Sequence, residues 1–138
     1  MNRISITLLG AALLAGLAMP AVASVQKGSK GGEAELAKAI AGRTAGKPVA
    51  CINLRDIRSS KIIDGTAIIY EMNNGVKYVN RPRTGAETLD WDDVLVTETT
   101  LSQLCRVDTV RLYDTGIRSV TGWVGLGDFV PYPKPPRS

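Results

Sequence analysis

Histidine is absent from this chain of 138 residues. Its absence removes the commonest general base, every Ser-His-Asp or Cys-His arrangement, and most transition-metal sites. Neither G-x-x-x-x-G-K-[ST] nor G-x-G-x-x-G is present, and the GLG at 125–127 lacks a third glycine. The sequence therefore indicates no cofactor and no metal site, and it favours a protein that is not an enzyme.

A strongly basic surface is also lacking, although the formal net charge is +4. From Lys47 onward, 12 basic residues are balanced by 11 acidic ones, and the two signs are interspersed. A nucleic-acid footprint requires a basic face or stripe. We therefore expect no nucleic-acid partner.

The only long apolar run lies at the N-terminus. Arg3 precedes an uncharged run at 4–18, Pro20 ends it, and Ala21-Val22-Ala23 supplies small residues for cleavage. This pattern is typical of a secretory signal peptide over residues 1–23, cleaved after Ala23. The alternative is an uncleaved anchor, but the run is shorter than the ~20 residues that cross a bilayer. We predict a periplasmic or secreted protein with no integral membrane span after cleavage.

Cysteine occurs twice, at Cys51 and Cys105. Exported proteins in oxidising compartments use such pairs as disulfides, and two cysteines allow one intramolecular bond. Two buried free thiols are the alternative, because a redox C-x-x-C spacing is missing and two thiolates without histidine do not complete a zinc shell. If they are bonded, we expect their Cα atoms to lie about 4.4–6.8 Å apart, the usual range for a disulfide.

The chain after the signal divides into three parts. Residues 24–32 are polar and glycine-rich and are predicted to be a flexible leader. A helix is predicted at 33–42, within a single β-rich domain at 33–131. Residues 132–138 form a proline-rich tail.

Period-two patterning dominates the domain. Ile68, Tyr70 and Met72 are predicted to share one strand face, with the intervening residues on the other. Asn74-Gly75 favours a type I′ hairpin turn, and Asp64-Gly65 a second turn, which gives a three-stranded meander. We predict a mainly β fold, a small antiparallel barrel or roll of five to seven short strands with one N-terminal helix. The alternative is a two-layer α+β sandwich.

Few side chains are candidates for chemistry or binding. In LDWDD, Asp90 and Asp92 would share a face of an extended segment, as in a hydrolase dyad or a weak calcium site. An acidic loop anchored by Trp91 is the simpler interpretation. Trp123, between glycine-rich segments, is a possible binding-surface residue or a core tryptophan. A final set is a modest basic cluster, interpreted as a solvated strand edge: Arg55, Arg58 and Lys61.

Four short segments of the chain are AGRTAGKPVACI, YVN, QLC and GLGDF-P. Together with the turn at Asp64, they resemble a family of small uncharacterised proteobacterial envelope proteins, a domain of unknown function. The resemblance covers roughly residues 36–131. Many members carry two further cysteines, where this chain has Ala86 and Val124; the resemblance thus implies that one disulfide is lost and that Cys51 and Cys105 form the other. It implies no activity or cofactor.

Three function classes remain open from the sequence. The first is a non-enzymatic exported module that binds an envelope or periplasmic protein or plays a structural role. The second is a small-ligand binder that uses a barrel mouth, with Trp123 or tyrosines as contacts. The third is an enzyme of carboxylate type, a hydrolase built on Asp90 and Asp92.

Overall fold

The computed structural model describes residues 28–137 of the chain. This range contains one α-helix, nine β-strands and short 3-10 turns at Leu54–Asp56 and Ala86–Thr88. All strand pairings among these residues are antiparallel. The elements are α1 (Lys30–Ala39), β1 (Cys51–Asn53), β2 (Ile57–Ile63), β3 (Ala67–Met72), β4 (Lys77–Asn80), β5 (Val94–Thr97), β6 (Gln103–Cys105), β7 (Thr109–Asp114), β8 (Ser119–Gly125) and β9 (Phe129–Tyr132).

The meander predicted from the sequence forms most of the largest sheet, whose order is β2-β3-β4-β9. The turn at Asp64-Gly65 is confirmed, because Thr66 N donates to Ile63 O at 3.0 Å and Gly65 has φ +55°. It joins β2 to β3 with Ile63 opposite Ala67.

The next hairpin is confirmed, but the predicted type I′ turn is wrong. A type I′ turn needs positive φ at both central residues, and of the two only Gly75 has it, at +84°. Gly75 N donates to Met72 O and Met72 N donates to Val76 O, each at 2.9 Å, so the loop has three residues. Asn74 instead accepts a side-chain hydrogen bond from Val76 N at 3.0 Å. A type I turn followed by a glycine in the left-handed conformation is the usual structure of a three-residue hairpin loop.

The four-stranded sheet is buried on both faces. The predicted alternation is confirmed: Ile68, Tyr70 and Met72 lie in one core cluster, and Ala67 and Ile69 lie in another. The first cluster lies between this sheet and a three-stranded sheet of order β5-β7-β8, which contributes Val110, Leu112 and Val124. The second cluster lies under α1, through Leu36. The layers are therefore helix, four-stranded sheet and three-stranded sheet.

Helix α1 begins three residues before the predicted start at 33 and ends before the predicted end at 42. Ser29 is the reason for the earlier start, because its Oγ accepts from Gly32 N at 3.0 Å and so caps the helix. Ser29 Oγ also donates to Asp64 O at 3.0 Å, which ties the helix start to the β2–β3 turn. The last residues of the predicted flexible leader thus belong to the folded part.

The prediction of a mainly antiparallel β fold with one N-terminal helix is confirmed. Within residues 28–137 the strands number nine rather than five to seven, because two of them have only three residues. The sheets in that range remain separate instead of closing into a barrel, and the arrangement is closest to the predicted sandwich alternative. An isolated bridge joins Gly125, the last residue of β8, to Thr84 in the loop that follows β4.

A disulfide joins Cys51 and Cys105 across the third, two-stranded sheet of β1 and β6. The two residues lie directly opposite each other in the antiparallel pair, and their Cα atoms are 4.0 Å apart, just below the expected range. Arg106 N donates to Ala50 O at 2.8 Å beside the bond. The disulfide connects the strand before the meander to the segment that enters β7.

Two predictions concern the chain ends. The signal peptide at 1–23 and its cleavage site lie outside the described residues, as do residues 24–27 of the leader. At the other end, Tyr132 is the last residue of β9 rather than the first of the tail, and its carbonyl accepts from Arg43 Nη1 at 3.0 Å.

Candidate functional site

The outer face of the β5-β7-β8 sheet carries an exposed tryptophan. Trp123 on β8 lies opposite Arg111 on β7, which lies opposite Val96 on β5. The three residues form one row across the sheet, and Trp123 is 54% exposed. The sequence left open whether Trp123 belongs to the core or to a surface, and its exposure places it on the surface.

Strand alternation determines which side chains reach this face. On β7, Val110 and Leu112 point inward with no exposed surface, so Arg111 and Tyr113 point outward. The register extends this outward set to both neighbouring strands. We call the set the Trp123 face: Val94, Val96, Arg111, Tyr113, Val120 and Trp123.

Arg111 is oriented by two partners. Its Cζ lies 4.8 Å from the centroid of the Trp123 ring, a cation–π contact worth about 0.5–1 kcal/mol at an exposed site. Its Nη2 donates to Oε2 of Glu98, just beyond β5. The Arg111 guanidinium is therefore held between the Trp123 ring and the Glu98 carboxylate. Its position is already ordered before a partner binds.

The composition of the Trp123 face is typical of a contact surface. Val94 and Val120 are 49% and 43% exposed, large fractions for aliphatic residues on a sheet. Tryptophan, tyrosine and arginine are enriched where protein interfaces bind most strongly, and contiguous exposed apolar patches mark interaction sites. The face offers contact area and one fixed cation.

The predicted acidic pair is not part of a cleft. Asp90 and Asp92 are both exposed. Asp92 N donates to Asp90 Oδ1 at 3.2 Å, and Asp93 N donates to Asp90 O at 3.2 Å. Asp90 thus stabilises a local turn, as aspartate commonly does in loops. The geometry matches an acidic loop rather than a dyad, but Trp91 does not anchor the loop in the core, because its side chain is 70% exposed.

The predicted basic cluster is not a continuous patch. Lys61 Nζ lies 2.7 Å from Glu35 Oε1 on α1. Arg58 lies 3.9 Å from Glu71 on the neighbouring strand, and Arg55 belongs to the 3-10 turn before β2. Two of the three charges therefore have acidic partners.

An open groove of about 560 Å³ lies between the edges of the two larger sheets, and no sequence pattern indicates it. We call it the inter-sheet groove, and Trp91, which is 70% exposed, lies along it. The groove depends on how two distant segments pack, so no local pattern could have revealed it. Six of its lining residues are Ser60, Lys61, Ile62, Trp91, Val94 and Leu95.

Residues 28–137 contain neither a metal cluster nor a membrane-spanning helix. In this part of the chain, no cluster of three or more acidic or cysteine side chains has the geometry to hold a metal ion. The helix found there is too short and too polar to span a bilayer.

Comparison of the chain with protein-family models, with curated proteins and with solved structures finds no match. The resemblance to small envelope proteins described above therefore stays a prediction. The Trp123 face and the inter-sheet groove are the candidate sites of this protein.

Proposed function

We propose that this protein is an exported, non-enzymatic binding module of the bacterial periplasm, which recognises a protein partner through the Trp123 face. One observation carries the proposal: a tryptophan that is 54% exposed and stacked with Arg111 on an open sheet face. Burying such a ring on association removes a large apolar area from water, and tryptophan and arginine are the commonest interface anchors.

The proposed location rests on two supports. The N-terminal sequence has the three-part pattern of a signal peptide. The disulfide between Cys51 and Cys105 fits the oxidising compartment that export would provide. The resemblance to small envelope proteins agrees with both.

The other two function classes receive less support from the geometry. A ligand chamber at a barrel mouth would need enclosed space in the centre of the sandwich, but Phe129, Leu112 and Val124 fill that centre with no exposed surface. A carboxylate hydrolase would need its acids in a cleft, whereas Asp90 and Asp92 are exposed. We therefore propose the binding module alone.

Affinity capture from periplasmic extract tests the proposal. The disulfide-bonded mature protein, a Trp123→Ala variant and a Val107→Ala variant are immobilised, and bound proteins are identified by mass spectrometry. Val107 is 73% exposed and lies outside the Trp123 face, so it controls for loss of any exposed apolar side chain.

The expected result is a partner that the parent protein and Val107→Ala retain and that Trp123→Ala loses. Thermal unfolding of each variant verifies that the fold is kept. Capture of the same proteins by Trp123→Ala would overturn the proposed role of this face.

A further inference from the structure

The two larger sheets leave one side of the sandwich open. On the other side, Gly125 at the end of β8 is bridged to Thr84, in the loop that follows β4. On the open side, β2 is the edge of the four-stranded sheet and β5 is the edge of the three-stranded sheet. The inter-sheet groove lies between these edges, with Ser60 and Ile62 on one wall and Leu95 on the other.

Both walls of the groove are strand edges with unused pairing capacity. β2 pairs with β3 and β5 pairs with β7, and neither has a second strand partner among residues 28–137. A strand edge presents a row of N–H and C=O groups at regular spacing. An extended polypeptide is the ligand whose own backbone groups repeat at the matching interval.

The usual protections against strand addition are weak here. Neither β2 nor β5 contains proline, and the register irregularity of β2 lies between Ile57 and Ser59, before the groove residues. Lys61 is an edge lysine, but its ammonium is bonded to Glu35 on the helix side of the sheet. Its charge is therefore partly neutralised. The helix packs on the sheet face through Leu36, and its Glu35 reaches the border of the groove.

From these features we infer that the inter-sheet groove binds an extended segment of a partner protein by strand addition, so that the segment bridges β2 and β5. Alternate apolar side chains of the segment enter between Ile62 and Leu95. The others face the polar borders of the groove, which are the Lys61–Glu35 ion pair on one wall and Asp93, bonded to Thr121, on the other. Trp91 covers the bound segment.

This site differs from the Trp123 face, although Val94 borders both. The inference therefore goes beyond the proposed function and does not depend on it. A protein could use either surface without the other, and the experiment separates the two.

The test uses the disulfide-bonded mature protein and a random library of displayed twelve-residue peptides. An enriched peptide is synthesised twice, once unmodified and once N-methylated at alternate residues, which removes every second backbone donor. We expect N-methylation to weaken binding by about tenfold or more, because several backbone hydrogen bonds are lost. Trp91→Ala should weaken binding by a similar factor, and Val107→Ala should not change it.

Hydrogen exchange locates the bound peptide independently of any variant. The inference expects new protection at 59–62 in β2 and at 94–97 in β5. Failure to enrich any peptide, or equal binding of the N-methylated peptide, would overturn it. Loss of peptide binding in Trp123→Ala with full binding in Trp91→Ala would assign the peptide to the Trp123 face and equally overturn it.

Discussion

The side chain of Asn80 and the backbone of Gly127 form two reciprocal hydrogen bonds in the interior of the protein. Asn80 Nδ2 donates to Gly127 O at 2.6 Å, and Gly127 N donates to Asn80 Oδ1 at 3.0 Å. Asn80 has no exposed surface. The Asn80 amide pairs with Gly127 as the backbone of a neighbouring strand would, at the point where the chain leaves β8 for β9. It therefore provides hydrogen-bond partners for the Gly127 backbone where the chain passes from one sheet to the other.

Replacing Asn80 by alanine should destabilise the fold strongly. The change leaves a buried N–H and a buried C=O of Gly127 without partners, and each such group costs about 1–3 kcal/mol. We expect the free energy of unfolding to fall by about 2–4 kcal/mol in a urea titration. Asn73→Ala, at an exposed position, is the matched control and should change it little. Equal effects of the two substitutions would contradict the role of Asn80.

The disulfide should account for a large part of the stability. Removing a bond that closes a loop of this length (Cys51 to Cys105, separation 54) typically costs about 2–5 kcal/mol. Cys51→Ser, Cys105→Ser and the double variant should therefore share one lowered unfolding midpoint, and reductant should lower the parent protein to the same value. A midpoint that reductant leaves unchanged would show that the bond does not stabilise the domain.

Tyr70 is a polar group in the core without a described partner. It is 3% exposed and lies 5.8 Å from Phe129, ring centre to ring centre, and its hydroxyl has no hydrogen bond to any residue from 28 to 137. Tyr70→Phe keeps the ring and removes the unsatisfied group. We expect the free energy of unfolding at pH 7 to rise by about 1 kcal/mol. A decrease would mean that the hydroxyl is satisfied in solution.

The same substitution predicts a difference in alkaline stability. Burial raises the pKa of Tyr70 well above its ordinary 10.0. Below pH 10 the tyrosine is protonated in both states, whereas above pH 10 it ionises only in the unfolded state, which lowers stability as pH rises. The parent protein should lose about 1.4 kcal/mol per pH unit more than Tyr70→Phe in that range. Parallel unfolding profiles for the two proteins above pH 10 would contradict this.

Two glycines allow the stability cost of an unfavourable backbone conformation to be measured separately from the cost of steric crowding. Gly42 and Gly85 have nearly equal positive φ values, +72° and +76°. A methyl group at Gly42 would meet no atom within 4 Å, whereas at Gly85 it would lie 2.1 Å from the carbonyl oxygen of Trp123. Gly42→Ala should therefore cost about 1–2 kcal/mol, the conformational term alone. Gly85→Ala should cost a further 1–3 kcal/mol or so from crowding. Similar melting temperatures for the two variants would refute the close approach at Gly85.

Much of the fold could be predicted because it is encoded locally. The alternation around Ile68, Tyr70 and Met72 identifies the two faces of β3, and Asp64-Gly65 identifies its turn. The disulfide followed from having only two cysteines. These features depend on neighbouring residues or on composition, which a single sequence contains.

The features that could not be predicted depend on distant segments. β6 is three residues long and forms only because Leu104 lies opposite Ile52 on β1 and both are buried. The inter-sheet groove requires β2 and β5 to be edges of different sheets, which strand order alone decides. Trp123 was identified as a candidate, but its pairing with Arg111 follows from register rather than from spacing in the chain.

Site-specific photo-cross-linking at position 123 tests the central claim most directly. A photoreactive phenylalanine replaces Trp123 in the full chain, expressed in the native host, and a matched variant carries it at Val107, which is exposed outside the Trp123 face. If the face binds a protein partner, irradiation should give a discrete higher-mass adduct at position 123 that is absent or much weaker at position 107. Identical adduct patterns at the two positions, or no adduct at position 123, would contradict the proposal that the Trp123 face is a binding surface.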